Sequence, residues 1–215
     1  MTKKNMDILD YKEHITKIYL VRHGETKANK LRLLFGHLDW DLTRDGIKQA
    51  KGAALLLSKF FKERFDYLIT SPLQRARHTA SIITKRLRIK KIVVDVDLME
   101  KSEGTWEGKN FWDVRDNDSK NYYKWLKDPI KNKPPNGESI LDLNKRIKRF
   151  YESIFKNHLG KNVIVVAHSG PIRLFILNAL ELSPRKFWYL RVDCGSITEI
   201  HLSKKHSLVQ KVNQT

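Results

Sequence analysis

Residues 15–29 read ITKIYLVRHGETKAN. Ile18, Tyr19, Leu20 and Val21 make the apolar run of a strand buried on both faces. The run stops on Arg22, His23 and Gly24. A cation, an imidazole and a residue without a side chain close a core strand, so its end meets either solvent or a ligand.

Strands of the same character are expected at 66–70 (DYLIT), 92–96 (IVVDV), 163–167 (VIVVA), 196–202 (SITEIHL) and 207–212 (SLVQKV). Helical spacing lies between them. Residues 43–61 place Ile47, Ala50, Ala54, Leu57 and Phe61 at helical intervals, with Thr43 as the cap. Residues 72–87 put Ala76, Ala80, Ile83 and Leu87 on one face, and Ser71-Pro72 reads as a capping hydroxyl followed by a first-turn proline. Helices are also expected over 138–158 and 172–181. Strands alternating with helices predict an α/β fold with a largely parallel sheet. The last two strands, close in sequence, predict an antiparallel edge. Residues 107–137 break the rhythm with aromatics, lysines and the turn-rich KPPNGES, which predicts an inserted cap.

The chain has 215 residues, 40% hydrophobic and 31% charged, enough for a real core and too apolar for disorder. The polar opening MTKKNMDILDYKEH lacks the apolar stretch of a secretory signal. It reads as a lead-in over 1–14 to a single domain over 15–215. No apolar run reaches the ~20 residues of a membrane span. The one cysteine, Cys194, makes no internal disulfide and suits a reducing, cytoplasmic setting. No Cys/His cluster has zinc spacing, so no metal and no cofactor are expected. The net charge of +18 favours anionic partners. A basic nucleic-acid-binding protein is therefore the reading from another class, with TKRLRIKK (84–91) as its best patch. No nucleic-acid motif with stacking aromatics accompanies that patch.

Three strand ends carry the chemistry. The first ends in Arg22-His23-Gly24, the second in Ser71-Pro72 with Arg75 one turn on, and the fourth in His168-Ser169-Gly170-Pro171. In a parallel sheet these carboxyl ends share one edge, where open α/β folds bind ligands and helix N-termini attract anions. A lone histidine at a strand end is more often structural. Two arginines, two histidines and two helix starts on one edge describe a phosphate site with histidine chemistry. There is no phosphate loop of the G-x-x-x-x-G-K-[ST] type. Ala167 and Pro171 stand where a serine-hydrolase elbow needs glycines. Asp95 and Asp97 read as a solvated strand end rather than a metal site.

The ordered blocks LVRHGET with Asn29, LTRDGIKQA, SPLQRARHTA, LMEKSEGTWEG and VVAHSGPIR together resemble the histidine phosphatase superfamily, in its phosphoglycerate mutase-like branch. The resemblance implies a three-layer α/β sandwich, its mostly parallel mixed sheet flanked by helices, with an inserted helical cap. It implies a metal-independent phosphoric monoester hydrolase acting through a phosphohistidine. His23 matches the nucleophile. Arg22, Arg75 and His168 match the phosphoryl clamp. Glu100 matches the acid that protonates the leaving group, with Glu103 and Glu107 as rivals. Asn29, Gly36 and Ser169 match further binding positions. His37 is a candidate substrate contact, His78 a surface residue and Trp106 a packing residue. The P-x-G-E-S stretch before LDLNKRI resembles the phosphatase members, including α-ribazole phosphatases and fructose-2,6-bisphosphatase-like enzymes, more than the mutases. A mutase is the runner-up. The expected partner is a small phosphorylated metabolite, neither membrane nor nucleic acid, bound by a monomer or homodimer. Lys109, Lys120, Lys124, Lys127, Lys131 and Lys133 of the cap are candidates for handling an anionic, partly aromatic substrate.

Overall fold

A computed structural model describes residues 15–60, 64–203 and 206–215. The expected lead-in over 1–14 and the helix position Phe61 lie outside the described residues. The elements in order are β1 (Thr16–Arg22), α1 (Lys27–Lys30), α2 (Arg44–Phe60), β2 (Tyr67–Thr70), α3 (Gln74–Leu87), β3 (Ile92–Val94), α4 (Phe111–Asn117), α5 (Ser119–Lys127), α6 (Ile140–Asn157), β4 (Asn162–Ala167), α7 (Ser169–Ala179), β5 (Ile197–Leu202) and β6 (Ser207–Gln214). The sheet order is β3-β2-β4-β1-β5-β6. β1, β2, β3 and β4 pair in parallel, whereas β5 and β6 run antiparallel, as the sequence predicts.

Strand alternation builds the layers. Ile18 and Leu20 of β1 join Val163, Val165 and Ala167 of β4 on one face, packed against Leu143, Ile147 and Phe150 of α6 and Leu174 and Phe175 of α7. Tyr19 and Val21 join Ile164 and Val166 on the other face, against Ala53, Ala54 and Leu57 of α2 and Ala76, Ala80 and Ile83 of α3. Both faces of β1 and β4 are therefore dry, which is why their sequences read as unbroken apolar runs.

Thr43 caps α2 as expected. Its hydroxyl accepts from Gly46 N at 3.0 Å and donates to Glu25 Oε1 at 2.8 Å, tying the loop after β1 to the start of α2. Two other helix starts differ from expectation. α3 begins at Gln74 rather than Pro72, with Leu73 as an N-cap that offers no side-chain bond. The carboxylate of Asp39 accepts from Gln74 N instead, at 2.8 Å. The Ser71 hydroxyl lies against His168 and reaches only Leu73 N, one residue short of the helix. α7 begins at Ser169, three residues earlier than its apolar period suggested. Pro171 fits there, since a first-turn residue has no intrahelical acceptor to lose.

The absence of a side chain at Gly24 has a packing reason. A Cβ at Gly24 would collide with the carbonyl of Gly46, so the missing side chain makes room for the first turn of α2 and not for a ligand. Gly24→Ala is expected to cost at least about 1–3 kcal/mol of stability, read as a lowered denaturation midpoint, because backbone stands in the way. The insertion supplies α4 and α5. Trp106, 1% exposed, packs edge-on to Trp125 and donates to Asp118 Oδ2 at 2.9 Å, the packing role expected of it.

Candidate functional site

The order β2-β4-β1 brings three carboxyl ends side by side, and with them Ser71, His168 and the Arg22-His23 pair. His23 is 1% exposed. Its peptide N–H donates to Ala167 O at 3.0 Å, so β4 holds it in place. Nδ1 lies 2.7 Å from the carbonyl of Gly24, which can only accept. The ring proton therefore sits on Nδ1, and Nε2 carries the lone pair. Burial, with the charges of Arg75 and Arg22 behind it, holds the His23 pKa well below 6.5. The loop is pinned from below as well: Gly24 N donates to Thr79 Oγ1 at 3.1 Å, and that hydroxyl donates to Arg75 O at 2.9 Å.

His168 is fully buried, its ring centroid 5.0 Å from that of His23. Its Nε2 lies 2.9 Å from Ser71 Oγ, an oxygen that already accepts from Leu73 N at 3.3 Å. Among the described residues the buried Ser71 hydroxyl has no other acceptor, so its proton goes to Nε2, which leaves a proton on Nδ1. Burial and the nearby cations hold this imidazole neutral too.

Arg75 is the largest charged side chain in the interior. Nη1 donates to Leu38 O at 2.9 Å and Nη2 to Gly36 O at 2.7 Å, with Asp39 Oδ1 3.4 Å from Nη1. Phe35 stacks below the guanidinium at 4.7 Å. Burial lowers its pKa to about 10, so it remains a cation near neutral pH. Arg22 donates from Nη1 to Val192 O at 2.7 Å. Arg22 ends β1, His168 follows β4 and Arg75 lies in the helix after β2, so all three stand at one sheet edge. Among the described residues six buried side-chain N or O atoms lack a partner, and three are Arg22 Nε, Arg75 Nε and His168 Nδ1. An unpaired buried donor costs about 1–3 kcal/mol. Three on one sheet edge are a cradle for an anion with several acceptor oxygens.

Glu100 faces them. Its Oε2 accepts from Ser169 Oγ at 3.1 Å and Gly170 N at 3.2 Å, at the start of α7. Its backbone is anchored by Arg146, whose guanidinium reaches Asp97 O, Met99 O and Glu100 O and pairs with Glu138. The rivals have other employment. Glu107 accepts from His37 N, Leu38 N and Glu103 N, fixing the loop that carries Gly36. Glu103 is clamped by Lys101 Nζ at 2.6 Å, and burial raises its pKa.

A cavity of about 200 Å³ opens over His23. Arg22, Gly36, Glu100, Glu103 and Ser169 line it together with Phe35, Phe111, Arg173 and Trp188, while Arg75 and His168 are not among its lining residues. Gly36, at φ +25°, has no room for a Cβ against Lys101 O and Glu107. Asn29 does not join this cavity. Its Oδ1 accepts from Thr26 N and Thr26 Oγ1, and the residue borders a larger hollow of about 780 Å³ on the far side of Arg22, which contains neither His23 nor Glu100. His37 reaches Glu100 O through Nε2 at 2.9 Å but does not line the cavity. His78 is exposed, as expected. Among the six cap lysines none lines the cavity; Phe111 is the insertion's contribution. Asp95 caps the turn at Val96–Leu98 and Asp97 pairs with Arg149. Among the described residues no group of three or more His, Cys, Asp or Glu is placed to hold a metal ion. No described helix is long and apolar enough to cross a membrane.

Sequence reasoning missed Thr79, Arg146, Arg173 and Trp188, and it placed Ser71 at the right edge but as a cap rather than as the partner of His168. Thr79 was within reach, one turn beyond Arg75 in the same block. Trp188 had no local signal, because a distant 3₁₀ turn at Pro184–Tyr189 delivers it.

The two buried imidazoles make stability depend on pH. They stay neutral when folded but titrate near 6.5 when the chain unfolds. Below that pH the unfolded chain takes up protons that the folded chain refuses. Stability is therefore full above ~7 and falls as the pH drops from about 6.5 toward the lowered folded values, by about 1.4 kcal/mol per pH unit for each imidazole. Urea melts between pH ~7 and ~5 check this, and His23→Ala is expected to remove about half of that slope.

Fold and site together describe an α/β protein with a buried histidine pair beneath two guanidiniums, a class suited to phosphoryl groups. Residues 18–215 match the family model of the histidine phosphatase superfamily (branch 1), and the chain belongs to that superfamily. It is 32% identical over 201 residues to phosphoserine phosphatase 1 of Hydrogenobacter thermophilus, covering 94% of this chain and 93% of the relative. It is 31% identical over 197 residues to the adenosylcobalamin/α-ribazole phosphatase of Escherichia coli, covering 92% and 95%. The crystal structure of the α-ribazole phosphatase from Shigella flexneri superposes with a TM-score of 0.85 at 31% identity, covering 92% of this chain and 96% of that one. The family, the phosphoglycerate mutase-like sandwich and the phosphatase class expected from the sequence all hold.

Proposed function

We propose that the protein hydrolyses a small phosphate monoester in two transfers through a phosphohistidine at His23 Nε2. The observation that carries this reading is the set of buried groups without a partner, Arg22 Nε, Arg75 Nε and His168 Nδ1, at the sheet edge that holds a neutral His23. Nε2 attacks phosphorus as the ester P–O bond breaks. The two guanidiniums and the His168 N–H take the charge spread over the equatorial oxygens. The departing alkoxide takes its proton from Glu100. Water then attacks the phosphorus, Glu100 takes a proton from it, the N–P bond breaks and inorganic phosphate leaves. Ser169 and Gly170 orient the carboxylate for both steps. The cavity of about 200 Å³ suits a metabolite rather than a duplex, and Phe111, Trp188 and Arg173 would receive the leaving group.

The test is a screen of phosphorylated metabolites with His23→Ala as the blank. Phosphate release from at least one is expected. Rapid conversion of 3-phosphoglycerate to 2-phosphoglycerate, primed with bisphosphoglycerate, would overturn hydrolysis in favour of the mutase. Because two arginines supply the positive charge, treatment with EDTA is expected to change kcat by less than about twofold. A loss near the ~10²–10³ typical of removing a principal charge stabiliser would contradict that assignment.

A further inference from the structure

None of residues 135–139, the P-x-G-E-S stretch, lines the catalytic cavity. Ser139 caps α6, its hydroxyl accepting from Asp142 N at 3.0 Å. The rest of the stretch is spent on the segment that carries Glu100. Glu138 N donates to Ser102 O at 2.9 Å, and Thr105 N donates to Pro135 O at 3.0 Å. A Cβ at Gly137 would stand 2.8 Å from Ser102 O, so a glycine there lets the two backbones meet.

Arg146 of α6, 9% exposed, completes the contact. Its Nε and Nη2 hold the Glu138 carboxylate at 2.9 and 2.8 Å. Nη1 donates to Asp97 O and Met99 O, and Nη2 donates also to Glu100 O at 2.8 Å. A guanidinium has five N–H donors, and here all five are spent. Glu138 Oε2 in turn accepts from Ser102 N at 2.9 Å. The pair therefore grips the chain on both sides of one peptide group, at Glu100 O and at Ser102 N. Between these anchors Lys101 N donates to Glu100 Oε1 at 2.9 Å. The other carboxylate oxygen is held from α7, by Ser169 Oγ and Gly170 N.

On the reading that Glu100 is the acid of the proposed hydrolysis, we propose that Arg146 and Glu138 are positioning residues for its proton transfer. They set the backbone of residues 97–102, and that backbone sets the carboxylate against the leaving oxygen. Neither side chain lines the cavity, so both act through Glu100 and not on the substrate. A misplacement of about 1 Å in a reacting group costs ~10²-fold in rate. The phosphoryl cradle hangs on other partners: Arg22 on Val192 O, Arg75 on Gly36 O and Leu38 O, His168 on Ser71. Displacing Glu100 therefore slows the proton-dependent step and leaves the phosphoryl clamp in place. A clamp that served stability alone would lower all rates together or none.

Arg146→Lys and Glu138→Gln test this, in protein shown by a melt to be folded. Lysine keeps the charge but loses the planar fork that spans carboxylate and carbonyls. Glutamine keeps the shape of Glu138 but loses its charge. The probes are the alkyl phosphate turned over fastest in the metabolite screen and p-nitrophenyl phosphate. In both variants kcat/KM is expected to fall about 10–10²-fold on the alkyl ester. On p-nitrophenyl phosphate, whose leaving group needs no proton, it is expected to fall less than about threefold. Adding Arg146→Lys to Glu100→Gln is expected to cost nothing further on the alkyl ester, because the proton being positioned is already gone. Glu138→Gln decides the matter if Arg146→Lys does not fold. Equal losses on the two esters, no loss on either, or a double variant whose loss is the product of the single losses would overturn the proposal. A Glu100→Gln variant without leaving-group dependence strikes the acid assignment itself and the positioning with it. Leaving-group dependence in Glu100→Gln beside none in Arg146→Lys and Glu138→Gln strikes the positioning alone.

Discussion

His23→Ala is expected to lower kcat by roughly 10⁴-fold or more, the scale on which covalent catalysis collapses when its nucleophile is removed. The expected loss is large because nothing nearby can replace the lone pair. His168 is neutral as well, but its Nε2 is taken by Ser71 and its Nδ1 carries the proton, so it can donate to a phosphoryl oxygen and cannot attack. Quenched-flow with radiolabelled substrate should trap an acid-labile, alkali-stable phosphoenzyme in the wild type and none in the variant. A labelled protein of the same lability in His23→Ala would move the covalent step elsewhere. The fold should survive the substitution. The backbone hydrogen bond from His23 N to Ala167 O is untouched, and the imidazole leaves a cavity that already opens toward solvent.

Glu100→Gln is expected to separate the two halves of the reaction. Glutamine keeps an oxygen for Ser169 Oγ and Gly170 N and gives up only the bond that Oε1 accepts from Lys101 N at 2.9 Å, so a melt of the variant is read beside its kinetics. What is lost is the exchangeable proton. For an alkyl phosphate, whose alkoxide must be protonated as it leaves, kcat/KM should fall roughly 10²–10⁴-fold. For p-nitrophenyl phosphate, whose leaving group needs no proton, the first transfer should fall far less, and phosphoenzyme should accumulate because water is no longer deprotonated. Equal losses on both substrates would mean that Glu100 acts by charge or position alone. If Glu107 were the acid, Glu107→Gln would show the leaving-group dependence; its bonds to His37, Leu38 and Glu103 predict loss of loop order instead.

Residues differed in how much of their role their own neighbourhood in sequence could show. β1 and β4 were legible because both their faces are buried, and an unbroken apolar run ending in Arg22-His23 or His168-Ser169 needs no tertiary knowledge to be noticed. Arg75 was legible through its place one turn after β2. Helix starts were less so. Ser71-Pro72 has the composition of an N-terminus, yet the hydroxyl had a better partner in His168, 97 positions away, and Asp39 took over the capping. Asn29 shows the pull of local structure. The right residue type stands at the right place, but its oxygen is spent on Thr26 in a local capping box.

The sequence by itself determined the chemistry available: strand ends bearing two arginines and two histidines, an acid in LMEKSEGTWEG, and a pattern that can fold only as alternating strands and helices. Local covalent order sets these, because apolar period and residue type are properties of neighbours along the chain. Tertiary contacts alone fix which ring nitrogen carries each proton, why Glu100 is set against the start of α7 while Glu103, which lines the same cavity, is clamped by Lys101 and Glu107 lies outside it, and why Gly24 must be glycine. Those depend on atoms brought together across the sheet: Gly24 O under His23, Ser71 beside His168, Ser169 against Glu100, Gly46 against Gly24. Protonation and burial are set by what surrounds a group in space, and that surrounding comes into being only when β2, β4 and β1 lie side by side.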